Sequence, residues 1–277
     1  MVNNLGKGVR TSTGHHWRRN LMAAAIMIAA GAMLSDYVAS RGGVANPLPT
    51  TYFGTLPPGS TLQGNSDCAS QVRHSSWEPR PDNSTANNTP GVTCSAVGAC
   101  SVWSKDLYVY ATRVDGLFSG TTDEILQWGA CKWGLDENIQ RARAVQETHW
   151  YQSRAGDYTR DATLCSSFGL TAPCYQSYGI LQIKASTGPG YPATYPYSKN
   201  STPFNVDYSL AWLRACFDGY DTWLSNQPRS TQPYTAGDIW GCVGAWYSGN
   251  WYDSMAQTYI AEVKQYLANQ AWLQPSF

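Results

Sequence analysis

The sequence predicts a mainly α-helical protein with little strand, in which an irregular, disulfide-stapled arm precedes the helical domain. Beyond residue 120, apolar residues recur at helical spacing behind capping boxes. The stretch from 46 to about 100 is instead rich in Pro, Gly, Ser, Asn and Thr, which is typical of turns and loops. Eight cysteines, an even number, favour disulfide bonds in an exported chain. These observations divide the chain into residues 1–45, an arm at 46–120 and a helical domain at 121–277.

Residues 1–45 have the pattern of a signal peptide. A basic stretch ending in Arg18 and Arg19 precedes the apolar run Leu21–Leu34. This run of 14 residues is shorter than the roughly 20 that a membrane span needs. Small residues place cleavage near Ser40 or Ala45; an uncleaved anchor is the alternative, and the arginine pair weakly resembles a twin-arginine signal. We expect a secreted or cell-envelope protein with no stable membrane span after cleavage.

Charge and composition argue against nucleic-acid binding and are compatible with carbohydrate binding. The chain has 19 basic and 19 acidic residues, and cleavage after Ala45 leaves 14 basic and 18 acidic residues, a net charge of about −4. No nucleic-acid partner is expected, since phosphate neutralisation needs clustered Lys and Arg. Twelve Trp and eighteen Tyr suit carbohydrate binding, although we expect most of these rings to fill the core.

The cysteines predict how the arm is held. Residues 46–120 are too polar for a core of their own, so we expect them to pack on the helical domain, stapled by some of Cys68, Cys94 and Cys100. Within the domain, Cys165–Cys174 is predicted as a local bridge because the two residues are close in the sequence. Cys216–Cys242 is predicted as a long-range bridge, because the two predicted helices that carry these cysteines are expected to flank the candidate site described below. A zinc site is the alternative, but no CxxC pair occurs and the four His are scattered. We expect no metal and no cofactor.

Two predicted helices place Glu147, the first being followed directly by the helix that contains it. Thr121 opens a capping box, with Glu three positions later, at the start of the first helix. Asp136 caps a second helix that runs toward Glu147. Its apolar positions form one face, and Arg141 and Arg143 are expected on other faces.

The elements after residue 176 are predicted from the same signals, helix caps and the spacing of apolar residues. Ser177–Ile183 fits either a strand or a turn. A helix is predicted over Val206–Trp223 with Asn205 as its cap, and another over Ile239–Tyr247. Ser254 opens a capping box for the last helix. The apolar stripe of that helix consists of Ala256, Ile260, Val263 and Leu267.

The functional prediction depends on three short sequence elements that occur in a fixed order. Glu147 lies near the end of a predicted helix, Gly179-Ile180-Leu181-Gln182 follows, and Ala245-Trp246-Tyr247-Ser248-Gly249 comes last. Together they resemble the catalytic domain of soluble lytic transglycosylases and goose-type lysozymes, over roughly 121–273. The resemblance implies a lysozyme-like helical fold acting on peptidoglycan. It makes Glu147 the catalytic residue and gives substrate-binding roles to Tyr178, Gly179, Gln182, Trp246 and Tyr247.

The chain departs from the family pattern at several points. Trp246 and Tyr247 stand where the family usually has Tyr and Asn, and Thr148 stands where Ser is common. Glu147 and Gln182 are 35 residues apart, a longer separation than usual for the family. The extra length lies around Cys165 and Cys174, and we expect it to reshape one side of the site.

The resemblance implies cleavage between N-acetylmuramic acid and N-acetylglucosamine with a single Glu. A carboxylic acid donates a proton near neutral pH when apolar surroundings raise its pKa, and Val145 and Trp150 suit that role. Lytic transglycosylases then form a 1,6-anhydro product, whereas hydrolysis needs a second carboxylate, for which Asp157 and Asp161 are candidates.

Three other interpretations stay open. One is a lysozyme-, chitinase- or chitosanase-like hydrolase of the same fold. Another is a wall-binding protein without turnover, and the last is that Glu147 is an ordinary surface glutamate. No serine-hydrolase elbow, phosphate-binding loop, dinucleotide fingerprint or zinc-protease motif occurs in the sequence. We expect a monomer whose partner is the peptidoglycan glycan strand.

Overall fold

The computed structural model describes residues 53–96, 107–166, 170–185 and 194–277. Its contacts divide the chain into Met1–Pro47 and Leu48–Phe277, and every element below belongs to the second unit. The predicted export signal and Cys100 lie outside the described residues. Among the residues that are described, no helix is both long and apolar enough to cross a membrane.

The architecture is mainly helical, as predicted. The long helices are α4 (Thr122–Trp133), α5 (Glu137–Thr148), α8 (Thr202–Phe217), α9 (Ile239–Ser248) and α10 (Ser254–Ala268). The short ones are α1 (Asn65–Gln71), α2 (Ser84–Asn87), α3 (Tyr108–Ala111), α6 (Ala162–Ser166) and α7 (Tyr197–Asn200). Single 3₁₀ turns occur at Pro81–Asn83, Thr222–Asn226 and Ala271–Leu273. Helix α5 packs against α4 and α10, and α9 packs against α8 and α10, so the apolar core lies among the five long helices.

The caps of α4 and α5 are confirmed. The Thr121 side chain accepts a hydrogen bond from the Glu124 amide, and Glu124 Oε2 accepts one from the Thr121 amide at 2.7 Å. Helix α4 ends at Gly134, whose φ of 57° is the left-handed conformation that glycine adopts freely. The Asp136 side chain then accepts from two amides at the start of α5. Local chemistry therefore fixes both ends of the loop between the two helices.

Two predicted helix starts are wrong. Helix α8 begins at Thr202, capped by the Ser201 hydroxyl, because a proline in the first turn is compatible with a helix start. Asn205 is therefore an interior residue, and α8 ends at Phe217 instead of reaching Trp223. Helix α10 is capped by the Asp253 carboxylate, one residue before the predicted cap, which reaches the amide three positions on at 2.8 Å.

The strands form one small antiparallel sheet. Strand β1 (Ala155–Gly156) pairs with β2 (Ser177–Tyr178), which pairs with β3 (Ile183–Lys184). In this register Tyr178 lies opposite both Ala155 and Ile183. The segment at 177–183, which fitted a strand or a turn, contains both: two strand ends and the tight turn between them. We call residues 155–184 the hairpin segment.

The disulfides confirm two predicted pairs. Cys165 bonds to Cys174, and Cys216 bonds to Cys242, which joins α8 to α9. A third bridge, Cys68–Cys131, attaches α1 to α4, and a small apolar cluster including Val72 and Trp128 surrounds it. Cys94 is also disulfide-bonded. These bonds fit maturation in an oxidising compartment.

The described residues of the arm, 53–96 and 107–120, pack on the helical domain, but they are not wholly irregular. They contain α1, α2 and α3, which have only four to seven residues each. Such short helices are marginal alone. The Cys68–Cys131 bridge and backbone contacts such as Leu56 N–H to Gly134 O (3.0 Å) hold the arm in place.

Candidate active site

Glu147 lies at the last turn of α5, where three helices meet. The Tyr259 hydroxyl of α10 donates to Glu147 Oε1 at 2.5 Å. The Trp246 indole of α9 also hydrogen-bonds to the same carboxyl group. Glu147 is half-buried, whereas Tyr259 is almost fully buried. The structure thus brings a partly accessible carboxyl against two donors from separate helices.

The environment of Glu147 raises its pKa from 4.5 to about 7. Burial is the largest cause, because it penalises the charged form. The Tyr259 hydrogen bond, the charge of Arg143 and the Trp246 hydrogen bond act in the opposite direction, and the charge of Asp157 adds to the increase. A carboxylic acid with a pKa near neutrality can both donate and accept a proton under physiological conditions.

Arg143 lies beneath this group and is fully buried. Its guanidinium donates to Gln140 Oε1 at 2.8 Å and to Ser209 Oγ at 3.1 Å, and it lies 5.4 Å from the centre of the Trp246 ring. Burial lowers the pKa of Arg143, while the neighbouring Tyr259 and Glu147 oppose that change. The charge of Arg143 therefore favours the ionised form of the Glu147 carboxyl, while its own N–H groups bond to Gln140 and Ser209.

Arg141 is also buried, on another face of α5. It forms ion pairs with Asp123 at 2.6 Å and with Glu137 at 2.8 Å. The sequence predicted both arginines on faces other than the apolar stripe of α5. Their complete burial was not predicted, because it depends on partners in α4 and α8 that lie far away in the sequence.

Trp246 acts directly on the Glu147 carboxyl, whereas Tyr247 is connected to it through Tyr259. The Trp246 ring packs on Trp212 with centroids 5.3 Å apart. Tyr247 stacks face to face on Tyr259 at 4.9 Å and remains 55% exposed. An exposed aromatic ring held parallel by a buried partner leaves one face open to solvent, and such a face can pack on the apolar side of a sugar.

The Gly179–Gln182 turn has a different character. Gly179 has a φ of 80°, and a Cβ there would lie 2.1 Å from Asn205 Nδ2 and 2.5 Å from Ser198 O. The Gln182 amide donates to Gly179 O at 2.8 Å, and Asn205 Nδ2 donates to Tyr178 O at 2.8 Å. Tyr178 is buried, and its hydroxyl donates to Tyr175 O at 2.6 Å. The polar groups of this turn are thus engaged in holding the hairpin segment together.

The hairpin segment is attached directly to the end of α5. Thr148 Oγ1 donates to Ile180 O at 3.1 Å, and the Ile180 amide donates to Gln152 Oε1 at 3.0 Å. The Thr148 hydroxyl therefore attaches the turn to the last residue of α5. The two bonds place the predicted second element beside the residue that follows Glu147.

The two candidate second carboxylates have different surroundings. Asp157 accepts from Ser177 Oγ at 2.5 Å, lies 4.0 Å from Lys184 Nζ, and contributes to the raised pKa of Glu147. Asp161 accepts hydrogen bonds from two amides at the start of α6. Its role in the structure is that of a helix cap.

Sequence reasoning missed Tyr259 and Arg143. Tyr259 lies three residues after Ala256 and one before Ile260, so it belongs to the buried side of α10. A tyrosine on a buried stripe needs a partner for its hydroxyl, and this was a usable signal. Nothing local indicated that the partner is Glu147, which lies 112 residues earlier in the chain.

Comparisons with known proteins give no match: no family model, curated protein or solved structure is similar to this chain at a significant level. Within the described ranges, no group of three or more His, Cys, Asp or Glu side chains is placed to hold a metal ion.

Proposed function

We propose that this protein is a lytic transglycosylase that cleaves peptidoglycan glycan strands with Glu147 as its catalytic acid and base. The observation that carries the proposal is the Glu147 carboxyl itself. It has a pKa of about 7 and bonds to Tyr259 and Trp246, and the exposed ring of Tyr247 stacks on Tyr259. We also propose a lysozyme-like fold for the helical domain, and export to the cell envelope or beyond.

The substrate assignment depends on the order of the elements and on the aromatic groups. A helix-borne Glu, the Gly179–Gln182 turn and the aromatic pair on α9 lie together around the end of α5. Aromatic faces and amide groups suit an N-acetylated glycan, because sugars present C–H faces together with acetamido and hydroxyl groups.

The proposed reaction uses one carboxyl group twice. Protonated Glu147 gives its proton to the glycosidic oxygen as the bond to the muramyl C1 breaks, and the acetamido oxygen of the substrate supports the cation. The Glu147 carboxylate then takes the proton of the C6 hydroxyl, whose oxygen bonds to C1. Attack by a tethered hydroxyl has a large effective-concentration advantage over attack by water. A pKa near 7 serves both steps at neutral pH.

A hydrolase is the second candidate, and Asp157 is the observation that favours it. Its charge acts on Glu147, as expected for a carboxylate that could activate water across the site. However, Asp157 is exposed, accepts a short hydrogen bond from Ser177, and lies near Lys184, so it already has partners.

Product analysis tests the two candidates. Purified peptidoglycan is digested, reduced with borohydride and analysed by mass spectrometry. A transglycosylase leaves 1,6-anhydromuramyl ends, which borohydride does not reduce. Dominant muramitol ends would replace the proposal with the hydrolase. Binding of glycan without any released fragment would support a wall-binding protein.

A further inference from the structure

The chain reverses direction immediately after the candidate catalytic residue. Helix α5 ends at Thr148, and His149 (φ 53°) and Trp150 (φ 67°) are both left-handed. Two consecutive non-glycine residues in this conformation are unfavourable, so surrounding contacts must hold them there. Part of that support is local, since the His149 and Trp150 amides donate back to Val145 O and Ala144 O.

The carbonyl groups of the reversal are held by a distant segment, residues 77–88 of the arm. Arg80 Nε donates to His149 O at 2.7 Å, and Asn83 Nδ2 donates to Trp150 O at 2.7 Å. Asn83 Oδ1 also accepts from the Gln152 amide at 2.9 Å. Both side chains are buried, so these bonds are shielded from water.

Neighbouring residues restrict both the backbone and the guanidinium group of Arg80. Pro79 and Pro81 flank it and restrict the backbone on both sides. Its guanidinium lies between two aromatic rings, 4.5 Å from the centre of Tyr151 and 4.1 Å from that of Phe277. A planar guanidinium fixed between rings can direct one N–H at one carbonyl, which a lysine could not do in the same way.

The same segment also binds the start of α4. Glu78 Oε2 accepts from the Thr122 amide at 2.6 Å and from Asn87 Nδ2 at 2.9 Å. Asn83 Nδ2 also donates to Thr122 Oγ1 at 3.0 Å. Residues 77–88 thus link the first residue of α4 to the reversal that follows α5.

The connection extends to the hairpin segment through Gln152. Its amide is held by Asn83, while its side-chain oxygen accepts from Ile180 and its side-chain nitrogen donates to Ser198 O at 2.8 Å. Asn83 is therefore one residue removed from the turn that contains Gly179 and Gln182.

We propose that residues 77–88 are a positioning element of the active site, in which Arg80 and Asn83 fix the reversal after α5 and so hold the Glu147 carboxyl against Tyr259 and Trp246. This inference rests on the proposed function for its kinetic consequences. Its structural content, the orientation of Glu147, can be measured without turnover.

The test substitutes Arg80→Lys, which keeps the positive charge but loses the planar guanidinium. The matched control is Arg113→Lys. Arg113 also donates to backbone carbonyls, of Gln63 and Lys132, and lies 5.3 Å from the Trp133 ring, but it does not contact the reversal. We expect Arg80→Lys to lower kcat at least tenfold with KM changed less than twofold, and the control to leave both near wild type.

The pH profile separates positioning from general destabilisation. A loosened carboxyl loses the Tyr259 bond, which raises its pKa, but it is also better hydrated, which lowers it. Because burial is the largest cause of the raised pKa, the Glu147 pKa should fall from about 7 toward 4.5, and activity should be lost about one pH unit earlier on the alkaline side. Wild-type kcat and an unmoved alkaline limb in Arg80→Lys would overturn the proposal. Equal losses of kcat in both variants at equal losses of Tm would also overturn it.

Two further measurements cover the remaining outcomes. Asn83→Ser removes the bonds of the Asn83 side chain to Trp150 O, Thr122 Oγ1 and the Gln152 amide and leaves Arg80 in place, and it should produce the same shift in the pH profile. If both variants fail to fold at the assay temperature, the segment is a folding element and the proposal is wrong. If wild type shows no turnover, the proposed function fails, but carbon-13 titration of the Glu147 carboxyl in wild type and Arg80→Lys still reports on positioning.

Discussion

The two sides of the candidate site use their polar groups in opposite ways. On the helical side, formed by α9 and α10, Trp246 and Tyr259 direct side-chain donors at Glu147, and Tyr247 presents an open ring. On the hairpin side, the side chains of Gln182 and Tyr178 donate to backbone carbonyls of the hairpin segment itself. The side chains of the helical side therefore act on the protonation of the Glu147 carboxyl. Those of the hairpin side stabilise the backbone conformation of the hairpin segment. Substitutions should affect activity through different quantities on the two sides.

The largest effect should come from Glu147→Gln, which removes the group that the helical side acts on. We expect turnover to fall about a hundredfold or more, as for removal of a general acid. Glu262→Gln is the matched control, since this exposed carboxylate of α10 accepts from Gln146. Near-wild-type turnover of Glu147→Gln on peptidoglycan would end the assignment.

Glu147→Gln should also change the unfolding temperature, in a way that depends on pH. A carboxyl whose pKa is raised from 4.5 to about 7 stabilises the fold fully below pH 4.5, and this contribution is lost as pH rises through 7. The difference corresponds to on the order of 3 kcal/mol above pH 8. Glu147→Gln should therefore unfold at a higher temperature than wild type at pH 8 but not at pH 4. Calorimetry at the two pH values measures it.

The next effect should come from the hairpin side, through Gly179→Ala. The new Cβ would meet Asn205 and Ser198 at 2.1 and 2.5 Å, at a φ of 80°. We expect a loss of about 3 kcal/mol in the free energy of unfolding from strain and overpacking. Gly59→Ala is the control, because its φ is 74° but nothing lies within 4 Å, so it should cost only about 1 kcal/mol. Equal denaturant midpoints for the two variants would show that the close approach is unimportant.

A smaller effect is expected for Tyr259→Phe. Losing the hydroxyl removes a bond that favours ionised Glu147, so its pKa should rise above 7 and the alkaline limb of activity should move to higher pH. We expect kcat to fall about tenfold, since the carboxyl loses one fixed donor. Tyr110→Phe removes a comparable bond, to Asp218 at 2.7 Å, away from the site. A limb that moves to lower pH would contradict the proposed role of the hydroxyl.

The smallest effect on rate is expected for Asp157→Asn, if the reaction is a transglycosylation. Removing this negative charge should lower the pKa of Glu147 slightly and leave kcat within about threefold. Asp161→Asn, at the cap of α6, is the companion variant. A loss of a hundredfold in Asp157→Asn alone would instead identify a base and favour the hydrolase.

The sequence by itself determined features that depend on neighbouring residues. Thr121 and Asp136 cap their helices through groups two or three positions away, and Gly134 ends α4 through its own backbone freedom. Cys165–Cys174 spans only nine residues. Cys216–Cys242 followed from the expectation that the two helices flank the site. Asn205 shows where such reasoning fails, because a residue that can cap a helix can also serve inside one.

Only the tertiary structure decided how the carboxyl group is held. Glu147 meets Tyr259 across 112 residues, Arg80 meets His149 across 69, and Asn205 meets Tyr178 across 27. None of these partners is set by local propensity. Each is a polar side chain taken out of water, which must find a hydrogen-bond partner wherever the packed helices bring one within reach. The sequence indicated which acid to examine, and the folded arrangement gave that acid its pKa and its support.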